Sequence, residues 1–162
     1  MKILVTGAAG FLGSRLIHAL LSQTARVELS PIVAADLARC PIDDRRVDSL
    51  VGTITDPDFI SAIVESDVDV VFHLAAALSG QSEAEFDVGM RINVDATRNL
   101  LEACRRLPHA PRFVFASSVA VFGGALPEVV PEDTALWPQS SYGTEKAIAE
   151  LDDASVASCH TM

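Results

Sequence analysis

The stretch Met1-Lys2-Ile3-Leu4-Val5-Thr6-Gly7-Ala8-Ala9-Gly10-Phe11-Leu12-Gly13 decides how the rest of this 162-residue chain is read. Ile3, Leu4 and Val5 form a short apolar run with β-branched residues, the pattern of a strand buried on both faces. Gly7, Gly10 and Gly13 follow at G-x-x-G-x-x-G spacing, and over Ser14–Leu21 the apolar residues take up helical spacing. A strand that enters a glycine-rich turn and leaves as a helix presents unpaired backbone N–H groups at the positive end of the helix dipole, which suits an anion. Without side chains, the three glycines allow a tight turn, close approach of a pyrophosphate and close helix–strand packing. A glycine-rich turn that binds nothing shares this local pattern, so other residues must decide.

The next apolar run, Ile32-Val33-Ala34-Ala35, ends in Asp36, 23 residues after Gly13. In a dinucleotide-binding fold the acid closing the second strand accepts hydrogen bonds from the adenosine ribose hydroxyls. Its charge repels a 2′-phosphate, which favours NAD over NADP. Asp36 alone reads equally as a polar residue ending a strand; with the glycine turn at this distance it points to a dinucleotide.

The chain is long enough for one domain with a substantial core, and 49% hydrophobic residues exclude a disordered chain. A net charge of −10 without a long basic run argues against nucleic acid and anionic membranes as main partners. A dinucleotide is itself anionic, so the helix terminus has to act locally against the overall field. Cys40, Cys104 and Cys159 are odd in number, widely separated and without metal-ligand spacing, which suits reduced thiols and predicts no metal site. The first strand leaves no room for a signal peptide, and no apolar run approaches the ~18 residues of a membrane helix. The expectation is a cytoplasmic protein.

Further along, periodicity predicts a helix over about Phe11 to Ser22 and a second strand within Arg26 to Ala35. A third strand is expected near Arg46 to Val51. Asp56-Pro57 reads as an N-cap and first helical residue of a helix running to about Glu65. Val68 to Leu74 is the fourth strand, followed by the small-residue stretch Ala75 to Gly80. A long helix is expected from about Glu83 to Leu107, on the spacing of Phe86, Met90, Val94, Leu101 and Cys104. Arg112 to Ala116 is the fifth strand, Gly123 to Ser140 a proline-bearing loop, and a last helix starts near Ser141. Alternating strands and helices predict an α/β fold, a doubly wound parallel sheet of order 3-2-1-4-5 with its ligand crevice at the strand carboxyl ends. The glycine turn, Asp36, Thr53, Leu74–Ala76 and Ser118 all fall at such ends.

Ser118 and the pair Tyr142/Lys146 carry the chemistry. Tyr142-Gly143-Thr144-Glu145-Lys146 sets a tyrosine and a lysine at i and i+4 on one helix face. A free phenol titrates near ~10, too high for a base at neutral pH, and a nearby ammonium favours the phenolate. Ser118 is suited to hydrogen-bond a substrate oxygen, and Lys146 to hold a nicotinamide ribose. An ordinary helix pair and a serine that ends a strand have the same local appearance; the residues gain meaning from their order behind the glycine turn and Asp36. His73 reads as a packed or hydrogen-bonded histidine at a strand end.

Together these motifs resemble the extended short-chain dehydrogenase/reductases of the NAD-dependent epimerase/dehydratase family. The motifs are Thr6–Gly13 (TGAAGFLG), His73–Ala76 (HLAA), Arg91–Thr97 (RINVDAT), Ser117–Gly123 (SSVAVFG) and Tyr142–Lys146 (YGTEK). The resemblance implies a Rossmann-type NAD-binding domain over 1–151, with Ser118, Tyr142 and Lys146 as catalytic residues that also border the cofactor. It puts Gly7, Gly10, Phe11, Leu12 and Gly13 at the pyrophosphate, Asp36 at the adenosine ribose, and Thr53 and Ile54 at the adenine. Leu74, Ala75 and Ala76 line the cofactor, and Asn93 braces the site from the long helix. The stretches His73–Val94 and Val121–Val130 resemble the part of the family that oxidises the C2 hydroxyl of a small sugar acid such as D-erythronate. The resemblance also implies a homodimer through the long helix and the last helix.

Thr53 stands where many relatives carry aspartate against the adenine. The chain stops 16 residues after Lys146, whereas family members continue for as many residues again with further strands and a substrate domain. Residues 152–162 lack the long apolar residues of an amphipathic helix, so the tail is expected not to continue the last helix. The expectation is a truncated or frame-shifted product. A nucleotide-sugar epimerase or dehydratase, and an NAD-binding remnant without turnover, stay open beside the dehydrogenase.

Overall fold

A computed structural model describes residues 1–22 and 31–159, with the backbone alone over 154–159. The chain forms two compact units, Met1–Ala76 with Asn99–Ala116, and Ala77–Arg98 with Ser117–Met162.

The first unit is built on a five-stranded parallel sheet. Its strands are β1 (Ile3–Thr6), β2 (Ile32–Asp36), β3 (Val47–Val51), β4 (Val70–His73) and β5 (Arg112–Phe115), in the order β3-β2-β1-β4-β5. This is the expected order, and it reverses direction between β1 and β4, where a doubly wound sheet opens its ligand crevice. All four residues of β1 are buried, which explains why its sequence is continuously apolar rather than alternating. Its side chains nevertheless divide by strand period. Leu4 packs with Val33 and Val71 against Ile60 and Ile63 of α2 (Pro57–Ile63) and against Leu100 and Cys104 of α5 (Ala96–Arg105). Ile3 and Val5 pack with Ile32 and Ala34 against Ile17 and Leu21 of α1 (Phe11–Ser22). α2 starts as its sequence requires: the Asp56 carboxylate accepts from the Asp58 N–H at 3.0 Å, with Pro57 at the first helical position. Residues 26–30 of the expected second strand lie outside the described residues. Cys40 and Cys104 are free thiols, both buried.

In the second unit the single long helix expected over Glu83–Leu107 is a correction. The backbone instead forms α3 (Ser79–Ala84), α4 (Phe86–Gly89), a π-helical stretch over Met90–Asp95 and then the start of α5. Glu85 breaks the run with φ −136° and ψ 74°, outside the helical region. The wider π turn then shifts the face presented by every later residue, so a fixed 3.6-residue period cannot describe the segment. A 3₁₀ turn spans Val119–Val121, and α6 spans Ser141–Cys159. The tail is a second correction, since it is helical to Cys159. Residues 152–159 hold no Gly or Pro to stop the backbone, and the Arg98 guanidinium ties Asp152 at 3.0 Å. The missing long side chains bear on packing, not on backbone continuity.

Candidate functional site

In the sheet unit the cofactor candidates gather at strand carboxyl ends. Gly7 has φ +69°, and a Cβ there would lie 2.7 Å from the Ala75 nitrogen. A Cβ on Gly13 would lie 2.2 Å from the Gly7 carbonyl oxygen. Both therefore serve the tight turn and the seating of α1 on it. Gly10 is exposed, and a Cβ there would meet only the Gly7 oxygen, at a tight 3.2 Å. Phe11 and Leu12, 71% and 60% exposed, open the first turn of α1, whose leading amides have no partner inside the helix. The Arg15 guanidinium lies 4.8 Å from the centre of the Phe11 ring.

Asp36, the last residue of β2, turns its carboxylate onto this turn. Oδ2 accepts from the Ala9 N–H at 2.9 Å and Oδ1 from the Ala38 N–H at 3.2 Å. Leu74, Ala75 and Ala76 are half-buried beyond β4; the Leu74 N–H donates to the Thr6 carbonyl and the Ala75 N–H to the Thr6 hydroxyl. The Thr6 hydroxyl also pairs with His73 Nδ1 at 2.7 Å, and His73 is buried beside Phe113 and Phe115. His73 is thus the packed, hydrogen-bonded residue expected from the sequence. Of the two residues after β3, Thr53 pairs its hydroxyl with Thr55 at 2.8 Å, and Ile54 is buried. An open, amide-rich turn at a helix N-terminus, with a carboxylate at the end of the adjacent strand, fits a dinucleotide.

In the second unit the structure brings the Ser118 turn and the start of α6 together. Ser118 is the N-cap of the 3₁₀ turn, and its Oγ accepts from the Ala120 N–H at 3.2 Å, which leaves the hydroxyl proton to donate elsewhere. A Cβ on Gly143 would lie 2.2 Å from the Ala120 carbonyl oxygen, so only glycine lets α6 approach this turn so closely. Ser140 caps α6, its Oγ accepting from the Gly143 N–H at 3.0 Å. Tyr142 is half-buried, and Lys146 Nζ lies 5.9 Å from the centre of its ring. Lys146 is only 3% exposed, and burial pushes its pKa down to about 8 against the opposing charges of Glu145 and Glu150.

Asn93, on the π stretch, is buried. Its Oδ1 accepts from the Ala77 N–H at 2.8 Å, while Nδ2 donates to the Ala77 carbonyl at 3.2 Å, Ser82 Oγ at 3.2 Å and Glu145 Oε2 at 2.6 Å. It braces the small-residue stretch at Ala77 and the neighbouring Ser82 of α3. Sequence reasoning did not single out Ser82, Glu83 or Glu145. Glu83 accepts from the Ser141 hydroxyl and the Tyr142 N–H, each at 3.2 Å, at the N-terminal turn of α6. An anion is favoured there. No spacing rule marks these residues, because acids on a helix ordinarily face solvent.

The sheet order and the glycine turn define the class, a Rossmann-type α/β fold. A family model for the NAD dependent epimerase/dehydratase family matches residues 3–157, and the chain belongs to that family. It is 50% identical over 158 residues to a D-erythronate dehydrogenase of Cupriavidus necator, covering 93% of this chain and 49% of that protein. Among solved structures, a nucleoside-diphosphate-sugar epimerase from Agrobacterium tumefaciens superposes with a TM-score of 0.89 at 36% identity, covering 98% of this chain and 49% of that one. UDP-glucose 4-epimerase from Brucella ovis, solved in complex with NAD, gives a TM-score of 0.85 at 30% identity, covering 99% of this chain and 49% of that one. The chain spans about half the length of the curated relatives it matches. Among the described residues, no helix is long and apolar enough to cross a membrane.

Proposed function

We propose that the chain is the NAD-binding and proton-handling part of a dehydrogenase that oxidises the C2 hydroxyl of a small sugar acid such as D-erythronate. The observation that carries this reading is the buried Lys146 under the Tyr142 ring, with Ser118 on the turn that Gly143 lets α6 approach. Gly7, Gly10, Phe11, Leu12 and Gly13 hold the pyrophosphate on backbone amides, and Asp36 takes the adenosine ribose. Leu74, Ala75 and Ala76 border the cofactor. Bound NAD supplies the hydride acceptor. Tyr142 takes the proton from the substrate hydroxyl, Ser118 donates a hydrogen bond that orients the oxygen, and the Lys146 ammonium stabilises the phenolate. Asn93 keeps the neighbouring backbone in place. The identity to D-erythronate dehydrogenase supports the substrate class. We further propose a homodimer through α5 and α6, to be checked by sedimentation.

A second reading, nucleotide-sugar epimerase, draws on the epimerase titles of the superposing structures. Leu78, where such enzymes often carry a polar or basic residue, favours the sugar acid. The test is NADH formation from D-erythronate beside conversion of UDP-glucose, with Tyr142→Phe in parallel. The reading expects NADH from D-erythronate and a loss of at least ~100-fold in the variant. Turnover kept by Tyr142→Phe overturns the assigned role, and UDP-glucose conversion alone favours the epimerase. NAD binding without turnover of either identifies a dinucleotide-binding module.

A further inference from the structure

Proton handling by Tyr142 places a demand on α6 that the helix does not meet by itself. Tyr142 is its second residue, in the turn whose leading N–H groups have no acceptor inside the helix. Ser140 takes the Gly143 N–H from just ahead of the helix. The Tyr142 N–H is taken by another element: it donates to Glu83 Oε1 of α3 at 3.2 Å, and the Ser141 hydroxyl donates to Glu83 Oε2 at the same distance. Glu83 thus spans the two residues that open α6. Its neighbour Ser82 is buried and donates to Glu145 Oε2 at 2.9 Å, one turn beyond Tyr142. Asn93 Nδ2 donates to the same Oε2 at 2.6 Å. A Cβ on Gly89 would lie 2.3 Å from Glu145 Oε1 and 2.8 Å from Ser82 Oγ, so α4 closes in on the same pair.

Apolar side chains at 82 and 145 would fill this space without taking polar groups out of water, so the bonds add direction more than cohesion. We propose that α3 is the positioning element of Tyr142: Glu83 fixes the backbone of the tyrosine itself, and Ser82 fixes α6 one turn further on through Glu145. The inference rests on the reading in which Tyr142 takes the substrate proton. There the phenol must lie within hydrogen-bond reach of the substrate hydroxyl, and an error of about 1 Å costs roughly 100-fold in rate. An exposed carboxylate at a helix N-terminus also acts through the helix dipole, which needs the charge and no particular bond. The two roles part at glutamine. It is neutral, yet its carbonyl oxygen accepts from the Tyr142 N–H while its amide donates to the Ser141 hydroxyl.

The composition makes the test direct, because Tyr142 is the only tyrosine and ring-13C tyrosine in the 162-residue chain gives one set of ring resonances. Glu83 is exposed, so its replacement leaves the core intact. In Glu83→Ala the ring resonances shift away from wild type, and amide hydrogen exchange at Tyr142 quickens about 10-fold. Glu83→Gln restores both. Ser82→Ala shifts the ring resonances with Glu83 in place. Gly80→Ala, on the same helix but with a Cβ that meets nothing within 4 Å, leaves them unmoved. A Glu83→Ala chain with wild-type ring resonances and exchange overturns the proposal. So does a Glu83→Gln chain that behaves like Glu83→Ala, which assigns Glu83 to the dipole alone, and so does a folded Ser82→Ala chain with an unmoved ring. If Ser82→Ala does not fold, the two Glu83 variants decide. No turnover enters, so a Tyr142→Phe enzyme that keeps its activity refutes the catalytic reading, while the ring resonances decide the positioning.

Discussion

In the sheet unit, the turn at Gly7–Gly13 is shaped by what is missing: at Gly7 and Gly13 an added Cβ would come within 3 Å of neighbouring backbone. In the other unit, the surroundings of Tyr142 and Lys146 are shaped by side chains that are present and buried, with Asn93, Ser82 and Glu145 bonded to one another. A backbone cradle tolerates no added atoms, and a buried polar cluster tolerates no lost ones. The two therefore fail in opposite ways.

The largest effect is expected at the turn. Gly13→Ala puts a methyl within 3 Å of three backbone atoms of Gly7 and Ala8 and should cost at least ~3 kcal/mol in urea denaturation. Gly80→Ala, whose Cβ meets nothing within 4 Å, should change stability by less than ~0.5 kcal/mol. Equal costs at the two glycines would contradict the account of the turn.

The buried lysine gives a pH signature of similar size. The folded chain holds Lys146 near 8, while an unfolded lysine titrates near ~10.4. Between those values the unfolded chain binds more protons, so this residue's contribution to stability rises with pH, by up to about 3 kcal/mol. The difference in unfolding free energy between wild type and Lys146→Met should grow over that window and be flat below pH 7. A flat difference throughout would mean that Lys146 is solvated.

Loss from the cluster comes next. Glu145→Ala leaves the buried Ser82 hydroxyl without the carboxylate that accepts from it, removes the shortest of the Asn93 Nδ2 bonds and should cost ~2 kcal/mol, read by thermal unfolding. The smallest effect lies at an ordinary cap: Asp56→Ala removes the bond to the Asp58 amide and should cost about 1 kcal/mol, with no change in NAD binding.

The same contrast decides what was legible in the sequence. The run from Ile3 to Gly13 displays its structure because glycine spacing and apolar runs are local signals, and the strand order follows from alternation of short strands and helices. Asp36 and the Tyr142/Lys146 pair were visible because their spacing from other motifs carries meaning. Glu145 was not, since an acid between two motif residues looks solvent-facing until Asn93, Ser82 and Gly89 are brought around it. The break at Glu85 and the π turn after Gly89 were equally hidden, because periodicity assumes an unbroken helix. In the tail, low amphipathicity does not imply low helicity, because the backbone follows propensity and stays helical to Cys159.

The central claim is that the strand–turn–helix opening, with Asp36 beside it, is a cradle for NAD. Calorimetric titration of the folded chain with NAD and with NADP tests it most directly. The account predicts saturable NAD binding, NADP weaker by at least ~10-fold, and a gap that closes in Asp36→Ala. A chain folded by circular dichroism that binds neither, or binds both equally with Asp36 intact, would contradict it.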